Sequence, residues 1–179
     1  MSVFSNTSKD SAEDRAKYTP AILELLGSQD PMAVLRDTPA ALGRAAAGLT
    51  PAQLRTPEAR GKWSIAQVLR HLADSEVVWG WRMRLILAQD RPTLTGYDQD
   101  LWAERLHYAD ADPSESLETF GVLRRDNLRL LDRATPEDLQ RVGVHSERGE
   151  ESAGHLRRLY AGHDLLHVNQ IERIKQTIG

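Results

Sequence analysis

Cysteine is absent from all 179 residues. Disulfides, thiolate metal sites, iron–sulfur clusters and cysteine nucleophiles are therefore excluded together. Any metal this chain holds must sit on imidazole, carboxylate or carbonyl oxygen. No run approaches the roughly 20 apolar residues of a membrane span. The polar stretch from Met1 to Asp10 lacks the apolar centre of a signal peptide, so a cytoplasmic protein is expected. A basic field is also missing. The 23 Lys and Arg are interleaved with 26 Asp and Glu for a net charge of −3, and nucleic-acid binding is not expected. There is no internal repeat, and no alternating or β-branched run between turn residues that reads as a strand.

What remains is a composition that folds. Hydrophobic residues make up 40% and charged residues 27%, enough for one domain with a core of its own. Residues 1–17, rich in Ser, Asp and Lys, read as a loose tail, and 18–179 as a single helical domain. Helix begins near Tyr18 and closes at Gly27. Asp30-Pro31, an N-cap followed by a first-turn proline, restarts it towards Gly48, with Pro39 expected to kink or divide it. Residues 49–62, with two prolines and a glycine, form a connector. Ser64 caps a long helix to about Gln89. A short extra helix at 98–106 follows in the loop beyond. Asp112-Pro113 opens the next, to about Ala134, with Leu117, Phe120, Leu123, Leu130 and Leu131 at helical spacing. The polar stretch 135–151 reads as loop, with at most a helical turn at 136–139, and the last helix spans roughly 152–176. Four main helices make an all-α bundle.

The chemistry concentrates in Ala161-Gly-His163-Asp-Leu-Leu-His167-Val-Asn-Gln170. Histidines four apart on a helix lie one above the other, within reach of a single ion. Leu156, Leu159, Tyr160, His163, His167, Gln170, Ile171 and Ile174 form one stripe at three-four spacing, which places both imidazoles on the inward face. Burying them is costly unless they are ligated or hydrogen-bonded, and both readings stay open. The zinc-protease pattern is not met, because Asp164 rather than Glu follows His163. His71 is the best third ligand. It sits at the border of the apolar arc of its helix, a position that equally suits a plain boundary residue. His107 and His155 read as surface residues, and His145 as either loop residue or pocket wall.

The segments Gly61-Lys-Trp-Ser-Ile-Ala-Gln-Val-Leu-Arg-His71-Leu-Ala-Asp-Ser-Glu76 and Tyr160-Ala-Gly-His163-Asp-Leu-Leu-His167-Val-Asn-Gln-Ile-Glu-Arg-Ile174 resemble signature regions of the DinB-like (DinB/YfiT) superfamily. Asp90-Arg-Pro-Thr-Leu-Thr-Gly-Tyr-Asp-Gln-Asp-Leu-Trp102 between them does too. The resemblance implies a four-helix bundle with one histidine on the second main helix and an HxxxH pair on the last. These fall at His71, His163 and His167, which would hold one divalent transition metal ion: zinc, nickel or iron. It also implies a homodimer. Relatives include transferases and isomerases that use a low-molecular-weight thiol, so a thiol cosubstrate and an electrophilic substrate are expected, with hydrolysis the other reaction type. A metal-binding bundle without catalysis is the alternative.

Partners for the outer ring nitrogens are expected among Gln67 and Asp74, one turn either side of His71, with Gln170 beside His167 and Asn127 on the third main helix. Each has a competing surface, capping or bundle-bonding role. Trp63, Trp79, Trp102 and Tyr97 serve as core or pocket wall. Glu76 reads as a core-edge or salt-bridge residue rather than a general base.

Overall fold

The computed structural model describes residues 12–178, with side chains from Lys17 onward. Helix α1 (Ala12–Leu26) starts six residues before Tyr18, so the end of the expected tail is helical. Residues 1–11 lie outside the described residues. Then come α2 (Pro31–Ala46), the short α3 (Pro51–Arg55), α4 (Ile65–Ala88), β1 (Thr93–Leu94) and α5 (Gln99–Arg105). After a single-turn 3-10 helix (Tyr108–Asp110) follow α6 (Pro113–Leu131), α7 (Pro136–Gln140), β2 (Val142–His145), β3 (Gly149–Ser152) and α8 (Ala153–Ile178). Helices α2, α4, α6 and α8 form the bundle, α2 and α4 each packing on both α6 and α8, and α1 lies along α8. Among the described residues no helix is long and apolar enough to cross a membrane.

Caps set the helix starts. The Asp30 carboxylate accepts from the Met32 and Ala33 N–H groups, and the Asp112 carboxylate from those of Ser114 and Glu115. At α4 the Ser64 hydroxyl accepts from the Gln67 N–H while the Gln67 amide oxygen accepts from the Ser64 N–H, a reciprocal capping box. Pro39 does not divide α2. It has no N–H to give the Leu35 carbonyl four residues back, and that carbonyl instead accepts from Arg124 Nη1 at 2.7 Å. The helix runs on through Pro39, and the carbonyl that the proline leaves free is taken up by a bond from a neighbouring helix.

Two apolar clusters fill the bundle. One gathers Leu26, Leu35, Met83, Ile86, Leu94, Leu156 and Tyr160; the other Leu42, Ile65, Leu69, Leu72, Phe120, Ile171 and Ile174. Along α8 the stretch His163 to His167 falls between residues of the first cluster and of the second. Glu76 on α4, with Arg124 and Asn127 on α6, falls between them in the same way. A polar layer therefore crosses the middle of the core. Close helix approach makes it possible. A Cβ at Gly162 would stand 2.4 Å from the Ile22 carbonyl oxygen, so α1 rests against α8 backbone. A Cβ at Gly80 would stand 2.3 Å from Asn127 Oδ1, where α6 meets α4.

The expected loop at 135–151 contains more than a loop. Helix α7 is there, and β2 pairs antiparallel with β3 and parallel with β1, His145 standing opposite Leu94 and Gly149. This three-stranded sheet corrects the reading that no strand is present. Its inward positions on β2 are Gly143 and His145, and on β3 the buried residue is Glu151. On β2 the alternating apolar residues, Val142 and Val144, are the less buried set, so apolar alternation does not mark the inward face. The sheet is minor beside the bundle, but it carries His145 to the site.

Candidate metal centre

His71 on α4 and His163 and His167 on α8 are 1%, 5% and 6% exposed. Their ligand atoms all lie within 4.8 Å of one another. His71 Nε2 and His163 Nε2 are 3.2 Å apart. Two nitrogens on one tetrahedral ion at about 2.0–2.1 Å stand about 3.3 Å apart, so the gap suits a shared ion. His71, placed at the border of its apolar arc from sequence, is fully inside. The ring centroids are 4.7 Å apart for His71 and His167 and 4.4 Å for His163 and His167.

The protonation states suit ligation. Burial, and next the neighbouring His167, hold His71 well below the ordinary imidazole value of 6.5. Burial does the same to His163, with His167, His71 and Arg124 adding to it. Burial pushes His167 down to about 4. All three are neutral at pH 7, the form that donates a lone pair to a metal.

The hydrogen bonds around the rings bear on the two readings left open by the sequence. His167 Nδ1 lies 2.7 Å from the Gln170 amide oxygen. That oxygen only accepts, so Nδ1 carries the proton and the Nε2 lone pair is free. Among the described residues His167 Nε2 is buried with no hydrogen-bond partner, as are His71 Nδ1 and His163 Nδ1. Each ring thus keeps one buried nitrogen that its polar neighbours leave unsatisfied, and an ion shared by the three rings would occupy the lone pairs that converge between them.

Of the four proposed ring partners, Gln170 reaches its histidine. The amide oxygen of Gln67 closes the capping box of α4. Asp74 pairs with Arg70, and its second oxygen is buried without a partner among the described residues. Asn127 donates to the backbone oxygen and to Oε2 of Glu76, both at 3.0 Å, while Arg84 donates to its amide oxygen. The bundle-bonding role accounts for it. Ser75, one turn after His71 on α4, donates to the His71 carbonyl at 2.8 Å.

Behind His163 lies a buried ion network that sequence reasoning missed. Arg124, 0% exposed, donates to Glu76 Oε1 at 2.6 Å from Nη2 and to Asp164 Oδ2 at 2.7 Å from Nη1. Its guanidinium carbon stands 4.6 Å from the ring centroids of both Phe120 and Tyr160. Glu76 is the salt-bridge residue it was read to be, though in the core rather than at its edge. Burial raises its pKa to about 7 against the pull of Arg124. Asp164 is likewise structural and faces Arg124. A signal existed, since Arg124 falls four residues after Phe120 and three before Asn127 on the inward stripe of α6.

A cavity of about 60 Å³ opens beside the centre, with His163 on its wall. Trp79, Tyr97, Arg82 and His145 also line it, so the open case of His145 resolves to pocket wall. Trp79 stacks on Tyr160 at 4.9 Å, and Trp63 packs 5.0 Å from His71. Trp102 packs on Tyr97 at 4.5 Å and supports the wall from outside. His107 is exposed and His155 half-buried.

Residues 35–171 match the DinB superfamily. The chain is 33% identical over 144 residues to a Bacillus subtilis protein named “Putative metal-dependent hydrolase YfiT”, covering 78% of this chain and 81% of that one. A protein of the same description from Bacillus mycoides is 31% identical over 145 residues, covering 81% and 83%. The solved structure of YfiT from Bacillus subtilis, described as having an unusual four-helix bundle topology, superposes with a TM-score of 0.77 at 28% identity. That superposition covers 97% of this chain and 92% of that one. Bundle, gathered histidines and relatives agree, and the chain belongs to the DinB superfamily.

Proposed function

We propose that the protein is a metal-dependent enzyme that opens an electrophilic small molecule by nucleophilic attack, with water as the nucleophile. One observation carries this reading: His163 belongs at once to the histidine cluster and to the wall of a cavity. Three protein ligands leave further coordination positions for other molecules, as in catalytic rather than structural sites. A divalent ion held by His71, His163 and His167 supplies Lewis acidity, polarising the electrophile and lowering the pKa of a nearby water or thiol.

The chain's own residues do the rest. Gln170 fixes the His167 tautomer and ring orientation. Trp79 and Tyr97 wall the cavity and restrict water around the substrate. Relatives described as metal-dependent hydrolases support the hydrolytic form. A low-molecular-weight thiol attacking in place of water is the finer proposal from the sequence resemblance. With no cysteine in the chain, that thiol must be a cosubstrate. A cytoplasmic setting and a homodimer complete the proposal, the latter supported by exposed Val77 and Trp81 one turn apart on α4.

The test is turnover by protein loaded with zinc, nickel or iron on a panel of esters, amides and epoxides, with and without added small thiols. Metal-dependent turnover that disappears in His163→Ala is expected. If stoichiometrically loaded protein turns over no substrate with either nucleophile while the metal still raises Tm, the non-catalytic bundle is the correct reading.

A further inference from the structure

We infer that the cavity beside His163 contains a subsite for a carboxylate of the substrate, held by Arg82 from α4 and His145 from β2. The inference rests on the reading that this cavity admits substrate. It starts from two donors that the fold buries and leaves unused.

Arg82 is 6% exposed. Its Nη2 donates to the Thr95 carbonyl at 2.6 Å, but its Nε has no acceptor and it forms no ion pair among the described residues. The other deeply buried guanidinium, Arg124, has two carboxylates. Glu151 and Glu147 lie near enough to favour its charge, but neither hydrogen-bonds to it, and burial still weighs against the cation; a directly bonded anion is the partner missing at Arg82. Arg148, on the same wall, does not share the role. Its Nε and Nη2 are engaged by Glu151 at 2.6 and 2.8 Å. Glu147 also lines the cavity, but it is an exposed residue.

His145 is 2% exposed. Its Nδ1 accepts from the Glu147 N–H at 3.2 Å. In a neutral ring the proton then resides on Nε2, which becomes a donor. That Nε2 is buried without a partner among the described residues. Burial, with Arg148 and Arg82 nearby, brings the pKa of His145 to about 4, so the ring is neutral at pH 7. One full charge and one neutral N–H donor match a singly charged group with two oxygens. A carboxylate has that chemistry; a phosphate dianion brings more charge than Arg82 balances. The volume of about 60 Å³ suits a compact group. With the carboxylate anchored there, the adjoining part of the substrate lies towards His163.

The test titrates the full-length, metal-loaded protein with propanoate and, separately, inorganic phosphate, followed by NMR, with metal content measured in every sample. Saturable propanoate binding is expected in the wild type. Arg82→Gln should weaken it about 10-fold or more, the effect of losing a charge-assisted hydrogen bond. Arg82→Lys should retain part of the affinity, and serves if the glutamine variant does not fold. His145→Gln, which keeps a donor near Nε2, should bind better than His145→Phe. No saturable propanoate binding in the wild type, or equal affinity in Arg82→Gln, overturns the subsite. Tighter binding of phosphate than propanoate overturns the carboxylate assignment. Any of these with metal content unchanged leaves the metal-centre reading standing.

Discussion

Arg124→Met is expected to destabilise the protein by about 3–5 kcal/mol, because it strands two buried acids. Glu76 and Asp164 have 0% exposed side chains and both depend on the same guanidinium. The substitution also returns the Leu35 carbonyl, already without a helix donor because of Pro39, to an unsatisfied state. In a domain of this size the loss lowers Tm on the order of 10 °C. Replacing all three members of the network, Glu76→Leu, Arg124→Met and Asp164→Leu, should recover much of it, since no charge is then left without a partner. Thermal unfolding of single and triple variants checks both statements. An unchanged Tm in Arg124→Met would show that the polar layer does not hold the bundle together.

The joint substitution His163→Ala and His167→Ala is expected to take bound metal from near one ion per chain to near zero. An ion bound only to the folded state stabilises it, by about 2.7 kcal/mol at a free concentration one hundred times Kd. The double variant should therefore lose the Tm increase that added metal gives the wild type. Acid should act in the same direction. The three imidazoles have folded-state pKa values below 6.5, His167 at about 4. Their contribution to stability is complete above about 6.5 and is lost as pH falls towards 4, because the unfolded chain takes up protons first. Protonation also competes with ligation, so metal should be released over the lower part of that window. Metal analysis after gel filtration at a series of pH values reads the release.

The parts of this arrangement that were legible in the sequence share a cause. His163 and His167 interrupt an apolar stripe, and a polar residue where burial is required announces itself. Gln170 follows His167 at helical spacing on the same stripe. Arg124 interrupts the α6 stripe in the same way, yet its long side chain is usually read as snorkelling to solvent. Only its tertiary neighbours, two acids and a freed carbonyl from three other helices, show why it stays inside. Gln67 is placed by its spacing from His71 along one helix and Asn127 by the inward stripe of another, and neither position tells what else competes for an amide. Gln67 was three residues after an N-cap serine, and that spacing makes it a capping residue first. The sheet was hidden because its inward positions are glycine, histidine and glutamate. His145 reaches the cavity only through that sheet, so the Arg82–His145 pair is visible in three dimensions alone.

Whether His71, His163 and His167 hold one metal ion is read by X-ray absorption at the metal edge of the loaded wild-type protein. Three imidazole nitrogens at about 2.0–2.1 Å are expected, with the imidazole scattering falling as each histidine is replaced. A coordination shell without imidazole, or one unchanged in the His163→Ala, His167→Ala variant, would contradict the three-histidine site.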